Sequence, residues 1–206
     1  LRYTLDGSVP TAASQRYTGP MTFRDDATLR LRAFHADGRT GDWVTIRYEK
    51  CGFARPAEPR ETQPGLLAEW YFKRFPDCAA IGGAQADGRC VADSVHFPQE
   101  ATGRRAVGIV FRGYIDVPEK GIHTFALASN DGSVLRIGDR VVIDNDGEHP
   151  LLEKTGQAAL SAGLHPLELR FFDYNGGKVQ LSLVSEDGGR RTLDGKWLRH
   201  VPADSR

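Results

Sequence analysis

An all-β protein is predicted, on three observations. Glycine and proline, 23 and 11 of the 206 residues, break the chain into short runs of alternating hydrophobicity. No stretch keeps a 3.6-residue apolar repeat over three turns, and turn signals such as Asn175-Gly176-Gly177 separate the runs at short intervals. Short strands at that spacing build a β-sandwich or a small barrel.

The elements follow in order. Leu1 to Leu5 alternates as a strand, Asp6-Gly7 tolerates positive φ and Pro10 stops any continuation. Residues Tyr3 to Thr11 therefore read as the second half of a hairpin, and the chain is expected to be the C-terminal portion of a longer protein. Met21 to Phe23 is a short strand, Thr28 to Phe34 alternates Leu29, Leu31 and Ala33, and Trp43 to Tyr48 closes a first unit spanning 1–50. Residues 51–64 are polar, carry Pro56, Pro59 and Pro64, and read as a linker.

Apolar content returns at Leu66, so a second unit is expected over 65–202, with a tail at 203–206. Within it Val107, Ile109 and Phe111 alternate before Gly113, and Ile115 and Val117 lead to Pro118. The pattern recurs at Phe125 and Leu127, Leu135 and Ile137, Val141 to Ile143, Leu167 to Phe171, and Val179 to Leu183. Turns fall at Glu119-Lys120-Gly121, Asn130-Asp131-Gly132, Gly138-Asp139, Asp144 to Gly147, and Ala162-Gly163.

Charge narrows the function classes. Lys plus Arg and Asp plus Glu both number 27, so no net field holds nucleic acid or an anionic membrane. No apolar run approaches the roughly 20 residues of a membrane helix, and Leu1 does not open a signal peptide; an export signal would lie upstream.

Three cysteines stand at 51, 78 and 90. Cys78 and Cys90 flank a glycine-rich loop, and a disulfide closing it would stabilise the fold by about 3 kcal/mol. Such a bridge implies an oxidising compartment; the alternative is two free thiols. No CxxC or paired histidine spacing accompanies them, which argues against zinc. Cys51 is left over, for an upstream partner.

Two resemblances then enter. Tyr3-Thr4-Leu5-Asp6-Gly7-Ser8, Pro10-Thr11, Tyr17 to Pro20 and the Ala27-Thr28-Leu29 strand stand in the order of the chitobiase and β-hexosaminidase C-terminal domain, an immunoglobulin-like sandwich that this region resembles with its first strand absent. Gly113-Tyr114-Ile115, Pro118, Gly121 to Phe125, Asp131-Gly132-Ser133, Asp144 to Gly147 and Gly163-Leu164-His165 resemble the PA-fourteen domain, a larger β-sandwich of secreted glycosidases and adhesins. Their succession is similar to the C-terminal region of bacterial family 20 glycoside hydrolases, the exo-β-N-acetylhexosaminidases.

The second resemblance implies a site. In adhesin members an acidic pair at the position of Asn130-Asp131 binds calcium, and calcium binds sugar hydroxyls. Asn175 matches a ligand asparagine, and Lys178 closes the same loop. Calcium takes hard oxygen ligands, so Asn130, Asp131 and Asn175 form the metal set, and Asn130, Asp131, Tyr174, Asn175 and Lys178 the carbohydrate set. Asn130 replaces an aspartate and removes a charge, so the competing reading is a plain turn capped by Asp131.

Asp144-Asn145-Asp146-Gly147 fails as an EF-hand, because the sixth and twelfth positions are His149 and Thr155; it reads as a turn, with His149 facing solvent. Asp25-Asp26 reads as an acidic turn. Of the aromatic groups, Trp70 and Phe72 should share one face with Tyr71 opposite, and Tyr174 is the ring expected to stand exposed as a sugar platform.

No catalysis is expected of this segment. Family 20 enzymes use an adjacent Asp-Glu pair beside the substrate's acetamido group, and no Asp-Glu dipeptide occurs here. Neither a GxSxG elbow nor the alternation of a (β/α)8 barrel is present. The expectation is a non-catalytic, carbohydrate-binding or access-shaping portion of a secreted, periplasmic or cell-surface glycosidase. Its partners would be an N-acetylhexosamine-containing glycan and an upstream catalytic domain, with no nucleic acid and no membrane insertion; no cofactor is required, and calcium at this site is the one candidate. A purely structural docking module and an adhesin fragment are the rival readings.

Overall fold

The computed structural model describes residues 1–83 and 85–202, so the expected tail at 203–206 lies outside the described residues. The described chain is all-β as expected, with no α-helix, and divides into Leu1–Gly52 and Phe53–Arg206.

The first unit is one antiparallel sheet of β1 (Arg2–Thr4), β2 (Gln15–Arg16), β3 (Ala27–Phe34) and β4 (Thr40–Tyr48), in the order β2-β1-β3-β4. Alternation puts Leu29 and Leu31 on one face, opposite Ile46 and Val44. Leu29 is buried, whereas Val44 and Ile46 remain exposed. The other face carries Arg2, Arg30, Arg32 and Trp43 in register. Met21 to Phe23 forms no strand; the segment contributes a ring instead, Phe23 stacking on Tyr48 at 4.2 Å between centroids.

The second unit is a two-sheet sandwich. Its larger sheet contains β5 (Gln63–Pro64), β6 (Leu66–Tyr71), β7 (Gly88–Ala92), β8 (Val107–Val117), β10 (Ser133–Ile137), β11 (Arg140–Asn145), β13 (Gly163–Asp173) and β16 (Leu198–His200). The smaller has β9 (Gly121–Asn130), β12 (Leu152–Leu160), β14 (Lys178–Val184) and β15 (Arg190–Thr192) in the order β12-β9-β14-β15. Strand β8 pairs with β13 over its whole length, and its other edge is shared by β6 and β16.

Alternation makes the core. Ile109, Phe111, Leu169 and Phe171 point inward from the large sheet onto Phe125, Leu127 and Leu181 of the small one. Gly113 interrupts the apolar pattern without ending β8, because the Arg199 carbonyl of β16 lies where its Cβ would be. Residues 53–64 are tied to this unit rather than left as a free connector: Ala54 donates to the Ala159 carbonyl at 2.9 Å and Ala57 to Leu164 at 2.7 Å.

The outer face of the large sheet carries a second apolar cluster. Tyr71, Val110 and Phe172 point outward and are covered by Phe75, Cys78 and Ile81 of the segment after β6. Trp70 and Phe72 face the sandwich interior, so the expected division of Trp70-Tyr71-Phe72 between two faces is found. Beside the outer cluster Glu168 accepts from Arg170 at 2.8 Å and Arg112 at 3.0 Å, and Arg112 also donates to Glu69. Burial works to raise the Glu168 carboxyl, but the bonds and charges of Arg170 and Arg112 outweigh it and hold it below the usual carboxylate range.

The expected Cys78–Cys90 disulfide is absent; all three thiols are free. The reason is topological. Cys90 stands opposite Ala68 and packs against the sandwich interior, whereas Cys78 belongs to the cluster on the outer face of the same sheet. A sheet therefore separates the sulfurs, and no bond of about 2 Å spans it. Burial, then the Asp146 carboxylate, pushes the Cys78 thiol far up, and burial raises Cys90 as well. A thiol reagent at neutral pH should thus modify exposed Cys51 first, Cys90 slowly and Cys78 only on unfolding. Reductant should leave the melting temperature unchanged; fewer than three titratable thiols in the denatured, non-reduced protein would contradict this arrangement.

Candidate functional site

Strand register gathers the site residues at one end of the sandwich. Lys178 pairs with Asn130 across β14 and β9, Ser133 stands opposite both Asn145 and Phe171, and Leu152 stands opposite Ser129. Three loops, at 130–132, 146–151 and 174–177, consequently meet at one rim. Asp131 ties them together: its Oδ1 accepts the His149 amide at 3.3 Å and its Oδ2 the Tyr174 amide at 3.2 Å. The Asn130-Asp131 peptide bond is cis.

The rim rests on buried polar groups that sequence reading missed. Asp173, 1% exposed, accepts the amides of Asn175 at 3.2 Å and Gly176 at 2.7 Å, and so shapes the third loop. Alternation from Leu169 and Phe171 already directs Asp173 inward, which is the signal that could have found it. Ser129 and Ser133 share a hydrogen bond of 2.7 Å, and the Asn145 amide donates to Ser129 at 3.1 Å and to the Leu152 carbonyl at 3.2 Å. Asn145 Oδ1 is buried with no partner.

His149 does not simply face solvent. Its Nε2 lies 2.9 Å from the Asn145 carbonyl and its Nδ1 2.8 Å from that of Pro150, so the ring braces its own loop. Asp146 likewise turns inward and accepts the amides of Cys78 and Gly147. Asp25 and Asp26 lie in the first unit, where they hold Lys50.

Tyr174 is no open platform, which corrects the expectation. Its ring lies between the Arg74 guanidinium, 4.1 Å from the centroid, and Phe172, at 5.3 Å, and its hydroxyl donates to the Phe75 carbonyl. The ring serves as a clamp between the rim and the outer cluster. Asn175 and Lys178 are exposed beside it, and Asn130 and Asp131 are half-buried.

The donor set at the rim is all oxygen. Each Asp131 carboxylate oxygen accepts one amide and keeps a second lone pair, and Asn130 and Asn175, on the adjoining loops, carry amide oxygens, the ligand types a hard cation takes. Among the described residues no three His, Cys, Asp or Glu side chains cluster as a metal site, so any cation here would depend on neutral oxygens around one carboxylate.

Residues 62–197 match the model of the PA14 domain. The chain belongs to that family. Residues 1–45, preceding the PA14 unit, match the chitobiase/beta-hexosaminidase C-terminal domain. A beta-hexosaminidase of Porphyromonas gingivalis (strain ATCC BAA-308 / W83) is 28% identical over 176 residues, covering 81% of this chain and 22% of that protein. The chain thus spans about a fifth of the length of this curated relative.

Among solved structures, the PA14 domain of the antifreeze protein MpAFP superposes with a TM-score of 0.60 at 20% identity, covering 70% of this chain and 94% of that one. A PA14 sugar-binding domain from an RTX adhesin gives 0.58 at 15% identity, covering 68% and 99%. The A domain of Epithelial Adhesin 6 from Candida glabrata, in complex with Galβ1-3GlcNAc, gives 0.53 at 12% identity, covering 71% and 92%. At these identities the likeness is one of fold.

Proposed function

We propose that the PA14 unit is a non-catalytic carbohydrate-binding module whose site is the rim of Asn130, Asp131, Asn175 and Lys178. The observation that carries this reading is the convergence of residues more than forty positions apart, tied through Asp131 and opened to solvent at Asn175 and Lys178. The likeness in fold to the sugar-binding domain of the RTX adhesin and to the Candida adhesin that holds Galβ1-3GlcNAc supports it, and the beta-hexosaminidase relative supports an N-acetylhexosamine-containing glycan as ligand. In this reading the segment serves a secreted β-N-acetylhexosaminidase, holding glycan or shaping access to its catalytic domain. No helix of the described residues is long and apolar enough to cross a membrane.

Asn130, Asp131 and Asn175 would hold calcium, which would present a positive charge to sugar hydroxyls. Calorimetric titration with N-acetylglucosamine oligosaccharides, with calcium and with chelator, tests the reading. Calcium should stabilise the folded unit by about 2.7 kcal/mol at a hundredfold excess over Kd, and so raise its melting temperature. Asn130→Asp should strengthen the effect by restoring an anionic ligand, and Asp131→Asn, which keeps an acceptor, should weaken it. Absence of glycan heat in both conditions would reject sugar binding and leave a docking module; glycan binding unaffected by calcium would reject the metal alone.

A further inference from the structure

We propose that the arginine face of the first unit binds an anionic polysaccharide, a linear glycan carrying carboxylate or sulfate groups. Four side chains form a straight row across the sheet. Trp43 on β4 stands opposite Arg32 on β3, Arg32 opposite Arg2 on β1, and Arg2 opposite Arg16 on β2. At about 4.8 Å between strands the row is roughly 15 Å long. Arg30 and Arg47 flank it on the same face, and the guanidinium carbons of Arg30 and Arg32 lie 5.9 and 5.7 Å from the Trp43 ring centroid.

No carboxylate among the described residues of this unit forms an ion pair with these arginines; its ion pairs are Arg39–Asp37 and Lys50–Asp25. Arg2 spends one N–H on the Ser14 carbonyl, Arg32 spends two on Gly41 and Thr40, and the Arg16 guanidinium makes no hydrogen bond among the described residues. Most of their five donors each stay available. Arg30 Nε is buried without a partner. Like charges directly opposite on a sheet destabilise it. The chain as a whole is neutral, so this concentration is not a by-product of basic composition. Without a bound anion the face works against its own fold.

The chemistry selects the ligand. A guanidinium fork matches carboxylate or sulfate bidentately, and successive forks one strand apart suit a polymer with charges repeated along it. Trp43, 46% exposed, offers a plane on which a sugar ring can lie. A protein partner fits less well, since protein interfaces need about 800 Å² per side around a core depleted of charge, and this face is charged through its centre. Nucleic-acid binders carry strong net positive charge over the whole domain, whereas this unit nearly balances its charges, with eight basic and six acidic side chains. The surface is independent of the PA14 rim.

The test is calorimetry of the whole 206-residue chain with chondroitin sulfate and hyaluronan oligosaccharides at low salt, beside chito-oligosaccharide, polyglutamate and oligo-dT. Charged glycans should bind, binding should fall as salt rises, and Arg16→Gln or Arg2→Gln should each weaken it roughly tenfold. Trp43→Ala should weaken it too. Because repulsion is relieved, the arginine variants should melt no lower than the parent, whereas a merely structural role would lower the melting point. No binding at low salt, or binding that the arginine variants leave intact, would overturn the proposal. Equal binding of polyglutamate or oligo-dT with Trp43→Ala silent would overturn it in favour of an acidic polypeptide or a nucleic acid.

Discussion

Phe111→Ala should lower the unfolding free energy of the PA14 unit by about 3–5 kcal/mol, a large share of the roughly 5–15 kcal/mol that domains possess. Phe111 is fully buried at the centre of the large sheet, with Ala68 opposite it on one side and Leu169 on the other. The small alanine leaves room for the ring. Removing the ring leaves a cavity between two hydrogen-bonded sheets whose backbones cannot collapse around it. Urea unfolding followed by tryptophan fluorescence in a Trp43→Phe background reads the effect through Trp70, 6% exposed in the same core, and Trp197, packed against it. Val91→Ala, on a side chain 54% exposed, should shift the midpoint little. Equal losses for the two variants would contradict the assignment of the core.

Gly177→Ala is expected to damage stability and the rim together. A Cβ at Gly177 would overlap the Asn130 carbonyl oxygen and crowd Asp173 Oδ1 at 2.5 Å. Neither neighbour is a flexible side-chain end: one is backbone and the other is buried with both oxygens engaged. The pairing of Asn130 with Lys178 must therefore open, at a cost of about 1–3 kcal/mol or more. Glycan affinity should fall with it, because Asn175 and Asp131 lose their common frame. Gly176→Ala, where open space surrounds the site and only a φ of +88° resists substitution, separates loop strain from the clash. Should Gly177→Ala melt and bind like the parent, the close approach would not matter to the rim.

Much of this fold was legible before any coordinates. Period-two alternation located β8, β13 and β14 because each buries one face between two sheets. Strand β12 was not legible, since Leu152 to Gln157 are mostly exposed and carry no apolar stripe; backbone pairing with β9 holds them extended. Gly113 looked like a break because sequence shows a missing side chain but not the β16 carbonyl that requires it. At the site, turn chemistry and family resemblance pointed to Asn130, Asp131, Asn175 and Lys178, and the loops that carry them adjoin at one rim. Tyr174 was misjudged for a definite reason: what covers it comes from Arg74 and Phe75, about a hundred residues earlier. The cysteine pair failed likewise, because twelve residues of sequence separation conceal a whole sheet between them.

The pairing of β5 with β16 has a consequence for how such a unit travels. Gln63 and Pro64 lie beside His200 and Arg199, so the strand that leads into the PA14 unit and the strand that leads out are hydrogen-bonded neighbours. A module whose two ends sit side by side can be spliced into a surface loop of a host domain without prising the loop apart. The same closure delays completion of the sheet during synthesis, since the edge of β8 that β16 occupies stays open until residues near 200 have left the ribosome. Portability and late folding thus arise from one ladder.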